Sequence, residues 1–208
     1  MVQTFNLGAA NSAVIFSTGA PGTQTMTAGM FSTSVLDIQR RVVISSSGDD
    51  SAVTFTVKGL NQAGFPIVDS FLGTNAGSSF SNLDFKIVST ILLSAAAAAN
   101  LTVGTNSTGS TLWNYVNWHV TPTNIECSGV VTSTSTAVTW RCEYTYDDPN
   151  SPPTGKTYPQ PFIHPVLNGT TVSLDSALND PVTAIRFTIT SGTGVVRGTV
   201  LQAGIAGP

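Results

Sequence analysis

Arg40, Arg41, Asp49 and Asp50 lie within eleven residues of a 208-residue chain that has only eight Lys and Arg and eleven Asp and Glu. Two carboxylates beside two guanidinium groups could move a proton while an electrophilic clamp holds a substrate. The stretch, RRVVISSSGDDSAVTFTV, has a second reading. Gly48-Asp49-Asp50-Ser51 is turn composition, in which Asp caps its own backbone, and charges at strand ends discourage edge-to-edge pairing. Neighbouring residues of a strand point to opposite faces, so Arg40 and Arg41 cannot both serve one pocket. The structural reading is preferred: the charges cap a hairpin.

The other reactive side chains are few. His119 lies in Trp118-His119-Val120 and His164 in Phe162-Ile163-His164-Pro165. No HxH, HExxH or GxSxG is present, so neither a zinc site nor a hydrolase elbow is indicated. The chain reads as non-enzymatic, with no cofactor and no metal. Asp147-Asp148 and Asn150 could offer oxygen ligands to Ca²⁺, although a solvated turn before Pro149 is the preferred reading.

Cys127 and Cys142 are not at a metal-type spacing. If the segment between them folds as a hairpin around Thr134-Ser135, they face each other as a cross-strand pair able to form a disulfide when oxidised. The alternative is two small buried apolar residues kept reduced, which a cytoplasmic compartment favours. Trp113, Tyr115 and Trp118, with Tyr158 and Phe162 of a proline-rich loop, could form a sugar-stacking or protein-docking surface. Tryptophan in a sandwich more often belongs to the core.

The elements that must position these residues are short strands. Residues 42–45 and 52–58 read as strands around a turn, with Val53, Phe55 and Val57 alternating against Thr54, Thr56 and Lys58. Further strands are expected at 65–72, 85–93, 101–103, 115–120, 126–131, 138–146, 171–174, 184–189 and 195–201. The five alanines at 95–99 are too short for an independent helix and read as a connection. RFTITSGTGVVRGTVLQAG from Arg186 loosely echoes RVVISSSGDDSAVTFTVKG from Arg41, which hints at two related β units. The expected organisation is an extended N-terminal arm over 1–35, a β-sandwich unit over 36–112 and a second β unit over 113–208. The second unit either stands apart or packs with the first as one domain. The arm is Gly-, Ala-, Ser- and Thr-rich and needs a neighbour to lie on. The fold class is all-β, an Ig-like or related antiparallel β-sandwich.

Composition agrees. Hydrophobic residues are 41% and charged residues 9%, against roughly 25% charged in an average soluble protein. Ser and Thr fill the polar balance at about a quarter of the chain, well above typical usage. The net charge of −3, without a basic stripe, argues against nucleic acid as a partner. MVQTFNLGAANSAV lacks the basic and apolar regions of a signal peptide. Ile91 to Ala99 is shorter than the ~18 apolar residues of a membrane span, so no membrane association is expected.

The run RRVVISSSGDDSAVTFTVKGLNQAGFPI, then Asn75-Ala76-Gly77, FKIVSTI and LTVGT, resembles a family of tailed-bacteriophage and prophage virion structural proteins. CEYTYDDP and the closing FTITSGTG and VLQAG fit the C-terminal part of such proteins. The resemblance covers residues 40–105 well and the remainder more loosely. It implies a β-sandwich decoration or cement protein of the capsid, or a neck, tail or fibre-attachment component. The implied partners are the major capsid protein or other virion proteins and further copies of the chain, as a homo-oligomer such as a trimer. The implied location is the virion, assembled in the host bacterial cytoplasm. The family supplies no catalytic motif. A glycan-binding β-sandwich adhesin using the aromatics at 113–118 and 158–162 is the alternative from another class.

Overall fold

A computed structural model describes residues 2–7, 11–19, 25–117, 121–132, 138–151 and 159–205. Among them are fifteen strands, a single 3-10 turn at Ala28–Met30 and no α-helix. The chain begins with β1 (Val2–Leu7). It continues through β2 (Asn11–Gly19), β3 (Thr25–Thr27), β4 (Val35–Ser46), β5 (Thr54–Leu60), β6 (Pro66–Leu72), β7 (Ser78–Leu93) and β8 (Leu101–Ser110). The remainder is β9 (Asn114–Tyr115), β10 (Thr121–Val131), β11 (Thr139–Thr145), β12 (Phe162–Ile163), β13 (Leu174–Leu178), β14 (Ala184–Ser191) and β15 (Gly194–Ile205). The chain divides into a discontinuous unit, Met1–Gly8 with Ser110–Pro208, and a contiguous one, Ala9–Gly109.

In the contiguous unit the strand order is β8-β4-β7-β5-β6, with β2 on β8 and β3 on β7. Its core gathers Ile15, Val42, Ile44, Phe55, Val57 and Phe85 among others. β5 shows why the sequence folds this way. Phe55 and Val57 are buried, while Thr54, Thr56 and Lys58 face outward, and the Thr56 and Ser70 hydroxyls bond across the β5–β6 ladder at 2.9 Å. Strict alternation commits one face to the core.

Here the hairpin expectation is corrected. β4 and β5 are not ladder neighbours; both pair with β7, which returns between them. The connecting loop is tied instead to the loop before β7, through Ser46 N–H to Gly77 O, Asp50 N–H to Thr74 O and Ala76 N–H to Gly48 O. Asp50 is buried, and its Oδ1 accepts from the Ala98 N–H at 2.8 Å. The alanine run is thus a connection whose small side chains fit a close approach. A Cβ on Gly48 would lie 2.8 Å from that of Ala98, tighter than packed carbons allow.

In the discontinuous unit two antiparallel sheets face each other. One has the order β1-β15-β10-β13. The other pairs β12 with β11, β11 with β14 and β14 with β9. Gly129 of β10 and Gly198 of β15 are register partners, and their bare Cα positions receive the rings of Trp140 and Phe187 from the other sheet. The two rings lie 6.3 Å apart, tilted by 51°. Both are buried, a large apolar payload at the centre of the sandwich. The all-β, antiparallel sandwich class read from the sequence is the fold of the chain.

The described part of residues 1–35 is mostly extended and lies on the chain's own strands. β1 pairs with β15 from Val2↔Thr199 to Leu7↔Gly194, β2 with β8 and β3 with β7. The neighbours that the described strands of this segment lie on are thus strands of the same chain. The unit boundaries fall after Gly8 and Gly109, not at 35 and 112. In the echo between residues 41–59 and 186–204 neither copy forms a hairpin: β4 and β5 are not ladder neighbours, and β14 and β15 belong to different sheets.

Candidate functional site

The charged residues that opened the sequence are placed structurally. Arg40 and Arg41 do point apart. Arg40, 1% exposed, donates through Nε and Nη2 to the two carboxylate oxygens of Asp37, at 2.6 and 2.5 Å. Its Nη1 donates to Asn106 O at 3.0 Å. Arg41 lies toward Asp84 at 3.9 Å. Asp49 accepts from the Ser51 N–H and hydroxyl, the self-capping expected of the turn, and the hydroxyl and then the amide hold its carboxyl below the ordinary value. Arg40 and Asp37 line one wall of a cavity of about 150 Å³ with Val14, Thr33, Leu36 and Thr105. That is below the ~300 Å³ at which small-molecule pockets begin.

A second charged group, which single-residue reading missed, sits on the outward face of the β12-β11-β14-β9 sheet. Register places Glu143 opposite Arg186, and Arg141 lies two residues back along the same face. Glu143 is fully buried and accepts from Arg186 Nε and Arg141 Nε, each at 2.6 Å. Burial alone would raise its carboxyl; the charges of Arg186 and Arg141 outweigh that and hold it below its ordinary value. The Arg186 guanidinium lies 4.6 Å from the centroid of the Trp113 ring, a cation–π arrangement, and its Nη1 donates to Ser110 Oγ. Trp113 therefore covers an ion pair and is half-buried.

Tyr115 is exposed, and its hydroxyl donates to Asp148 Oδ1 at 2.5 Å. Desolvation first, and then Asp148, raise the phenol, while the phenol lowers Asp148. Asp148 also accepts from the Asn150 N–H, so this acidic pair makes a turn, and no group of three or more metal-type side chains occurs among the described residues. Trp118, His119 and Tyr158 lie outside the described residues. Of the three aromatics read as a docking surface, Trp113 is half-buried and Tyr115 exposed, and Trp118 is not among the described residues.

A different aromatic group does form. Tyr144 and Phe162 are register partners in the β11–β12 ladder, and their rings stack at 5.7 Å with planes 19° apart. Tyr146 meets both edge-on, at 5.7 and 5.3 Å. Tyr146 and Phe162 are 49% and 42% exposed, and Ile163 and Val166 nearby are likewise exposed. The i, i+2 spacing of Tyr144 and Tyr146 is visible in the sequence; their registry with Phe162, across a long loop, is not. This cluster, at the β11–β12 ladder, is an exposed apolar group among the described residues of the discontinuous unit.

His164 follows at once and is buried. Its Nδ1 accepts the N–H groups of Val166 and Leu167, both at 3.2 Å, which fixes the turn after Pro165. Burial is the largest cause holding its pKa below the ordinary value. It is a structural histidine.

The cysteines are brought close together, by a route other than the one expected. β10 and β11 are not hairpin partners: Cys127 pairs with Ser176 and Val200 in one sheet, and Cys142 with Phe187 in the other. Both are buried and free. The hairpin reading fails because the chain crosses between sheets in passing from β10 to β11.

No protein family and no curated protein matches the chain. A solved crystal structure described as a "putative secreted protein" from Parabacteroides distasonis is similar at 10% identity and a TM-score of 0.24, covering 98% of this chain and 89% of the other. No helix among the described residues is long and apolar enough to cross a membrane.

Proposed function

We propose that the chain is a non-catalytic structural protein of a bacteriophage particle, a decoration or cement protein that stabilises the head by non-covalent contact. Its partners are the major capsid protein and further copies of itself. The observation that carries this reading is how the described polar clusters are used. Glu143 is closed by two arginines, Arg40 by Asp37, and the His164 Nδ1 by two backbone amides. What faces outward instead includes large apolar residues such as Phe80, Leu72, Tyr146 and Phe162, which suit apolar docking. The likeness of residues 40–105 to phage virion proteins supports the same conclusion.

Copies per particle, measured by quantitative mass spectrometry against the major shell protein, test it. A ratio near one to one, or one per few shell subunits, is expected. About six or twelve copies would point to a neck or tail ring, and absence from particles would sink the virion reading. Contacts made by apolar and backbone groups should also survive molar NaCl.

The grouping of Tyr144, Tyr146 and Phe162 favours one second reading, a glycan-binding adhesin, since exposed aromatic rings stack on sugar faces. Binding to a glycan array that is lost in Phe162→Ala with the fold intact would support it over the first.

A further inference from the structure

Cys127 and Cys142 are the chain's two cysteines, and both are fully buried. They lie on opposite sheets of the discontinuous unit, in β10 and β11. Strand periodicity puts Gly129 on the same face as Cys127, and Trp140 on the same face as Cys142. Gly129 and Trp140 are in contact, so the faces bearing the two thiols are apposed. Both side chains are thus enclosed between the two sheets, each wholly out of solvent.

We propose that Cys127 and Cys142 close into a sheet-to-sheet disulfide when this protein folds in an oxidising medium. Two S–H bonds break and one S–S bond forms. Two electrons and two protons pass to a small-molecule disulfide such as oxidised glutathione, which leaves as two thiols after a mixed-disulfide step. In a reducing cytoplasm the same pair remains two buried thiols. The inference does not depend on the virion reading.

Closure belongs to the folding chain. Exchange needs a thiolate and access, and the native fold denies both. The Cys127 thiol, burial and the Glu143 charge, in that order of importance among their kinds, keep Cys142 protonated, and neither sulfur meets solvent. The same shielding protects the bond once made. Each sheet is held internally by its ladder, whereas the facing sheets are held by side-chain packing; the disulfide adds a covalent tie in that direction.

The test unfolds the protein with reductant, then refolds it in parallel in a glutathione redox buffer and in excess reductant. Non-reducing digestion and mass spectrometry should find the Cys127–Cys142 peptide in the first sample only. Its Tm should exceed that of the second by roughly 5–10 °C, a difference that disappears in Cys127→Ala. Native reduced protein placed in the same glutathione buffer should keep both thiols for hours. A natively refolded sample that retains two titratable thiols, or that carries glutathione on either, overturns the proposal. The peptide map of the unaltered chain decides the matter even if the alanine variant fails to fold.

Discussion

Gly129 of one sheet is the seat of Trp140 from the other: a Cβ on the glycine would overlap the six-membered ring of the indole. The ring cannot retreat easily, because Trp140 is wholly buried and its Nε1 donates to Val172 O at 3.1 Å. Gly129→Ala should therefore lower stability by about 1–3 kcal/mol, the usual effect of overpacking a close-packed core. Adding Trp140→Phe should recover part of that loss even though Trp140→Phe alone is destabilising. Urea denaturation of the four variants would measure this coupling; simple additivity would mean the ring is not what the methyl meets.

Glu143→Gln should be more damaging than its size suggests, because it leaves Arg141 and Arg186 without a counter-charge. Removing one partner of a buried pair typically costs about 3–5 kcal/mol, and the lower end is expected because both arginines keep some solvent access. The folded-state pKa of Glu143 lies below its ordinary value. Its stabilising contribution is thus complete above the unfolded-state pKa and is lost as pH falls through the folded one. Chemical denaturation from pH 6 to pH 3 (roughly the window in which a depressed carboxylate titrates) should show a shallower acid limb in Glu143→Gln than in the parent.

His164 contributes at higher pH with the same sign. Its pKa is lowered in the fold, so the unfolded chain takes up the proton first as pH drops below about 6.5. Stability present above that value should decline toward the folded-state pKa. His164→Asn keeps an acceptor for the Val166 and Leu167 amides and removes the titration. It should flatten this part of the profile, whereas His164→Ala should lose about 1–3 kcal/mol at every pH through unpaired buried amides. An unchanged profile in His164→Asn would refute the assignment.

Asp37→Ala should destabilise the contiguous unit by about 2 kcal/mol. That is less than a wholly buried pair would lose, because Asp37 is itself 43% exposed and partly screened. Arg40→Met combined with Asp37→Ser, which removes the buried charge as well as its partner, should cost less than Asp37→Ala alone. Thermal unfolding of both variants provides the check.

Phe162→Ala and Tyr146→Ala should leave stability within about 1 kcal/mol of the parent, since both rings are close to half-exposed and most large losses come from buried positions. Both should weaken binding to particles or to glycan, whichever partner the protein has. Co-sedimentation with particles lacking the protein, beside glycan binding, reads out the effect; unaltered binding to both would remove this edge from the functional surface.

The sequence made the local features legible and left the non-local ones hidden. β5, β6, β11 and β14 coincide with expected strands because apolar and polar residues alternate along them. Of β1 to β3 only Val14-Ile15-Phe16, within β2, carries a strand signal, since a Gly-, Ala-, Ser- and Thr-rich stretch has little contrast between faces. The first half of β4 was hidden by its charges, because Gln39 and Arg40 look like surface residues and are buried. β13 runs Leu174–Leu178, displaced from the expected 171–174. Partner choice was the larger gap. β4 and β5, and likewise β10 and β11, are consecutive in the chain, yet neither couple forms a ladder: β4 pairs with β7, β10 with β13 and β15, and β11 with β12 and β14. That is why the charge cluster is not a hairpin cap, and why the cysteines meet across a sandwich and not along a ladder.

The pairing of β1 with β15 has a consequence for how the protein folds. Residues 2–7 and their partners at 194–199 stand on opposite sides of the whole contiguous unit in the sequence. Between the two, the whole of Ala9–Gly109 is available to fold as an uninterrupted segment. β1 therefore joins its sheet only by closing a loop that contains the contiguous unit, a non-local step that is expected to be slow in completing the discontinuous unit.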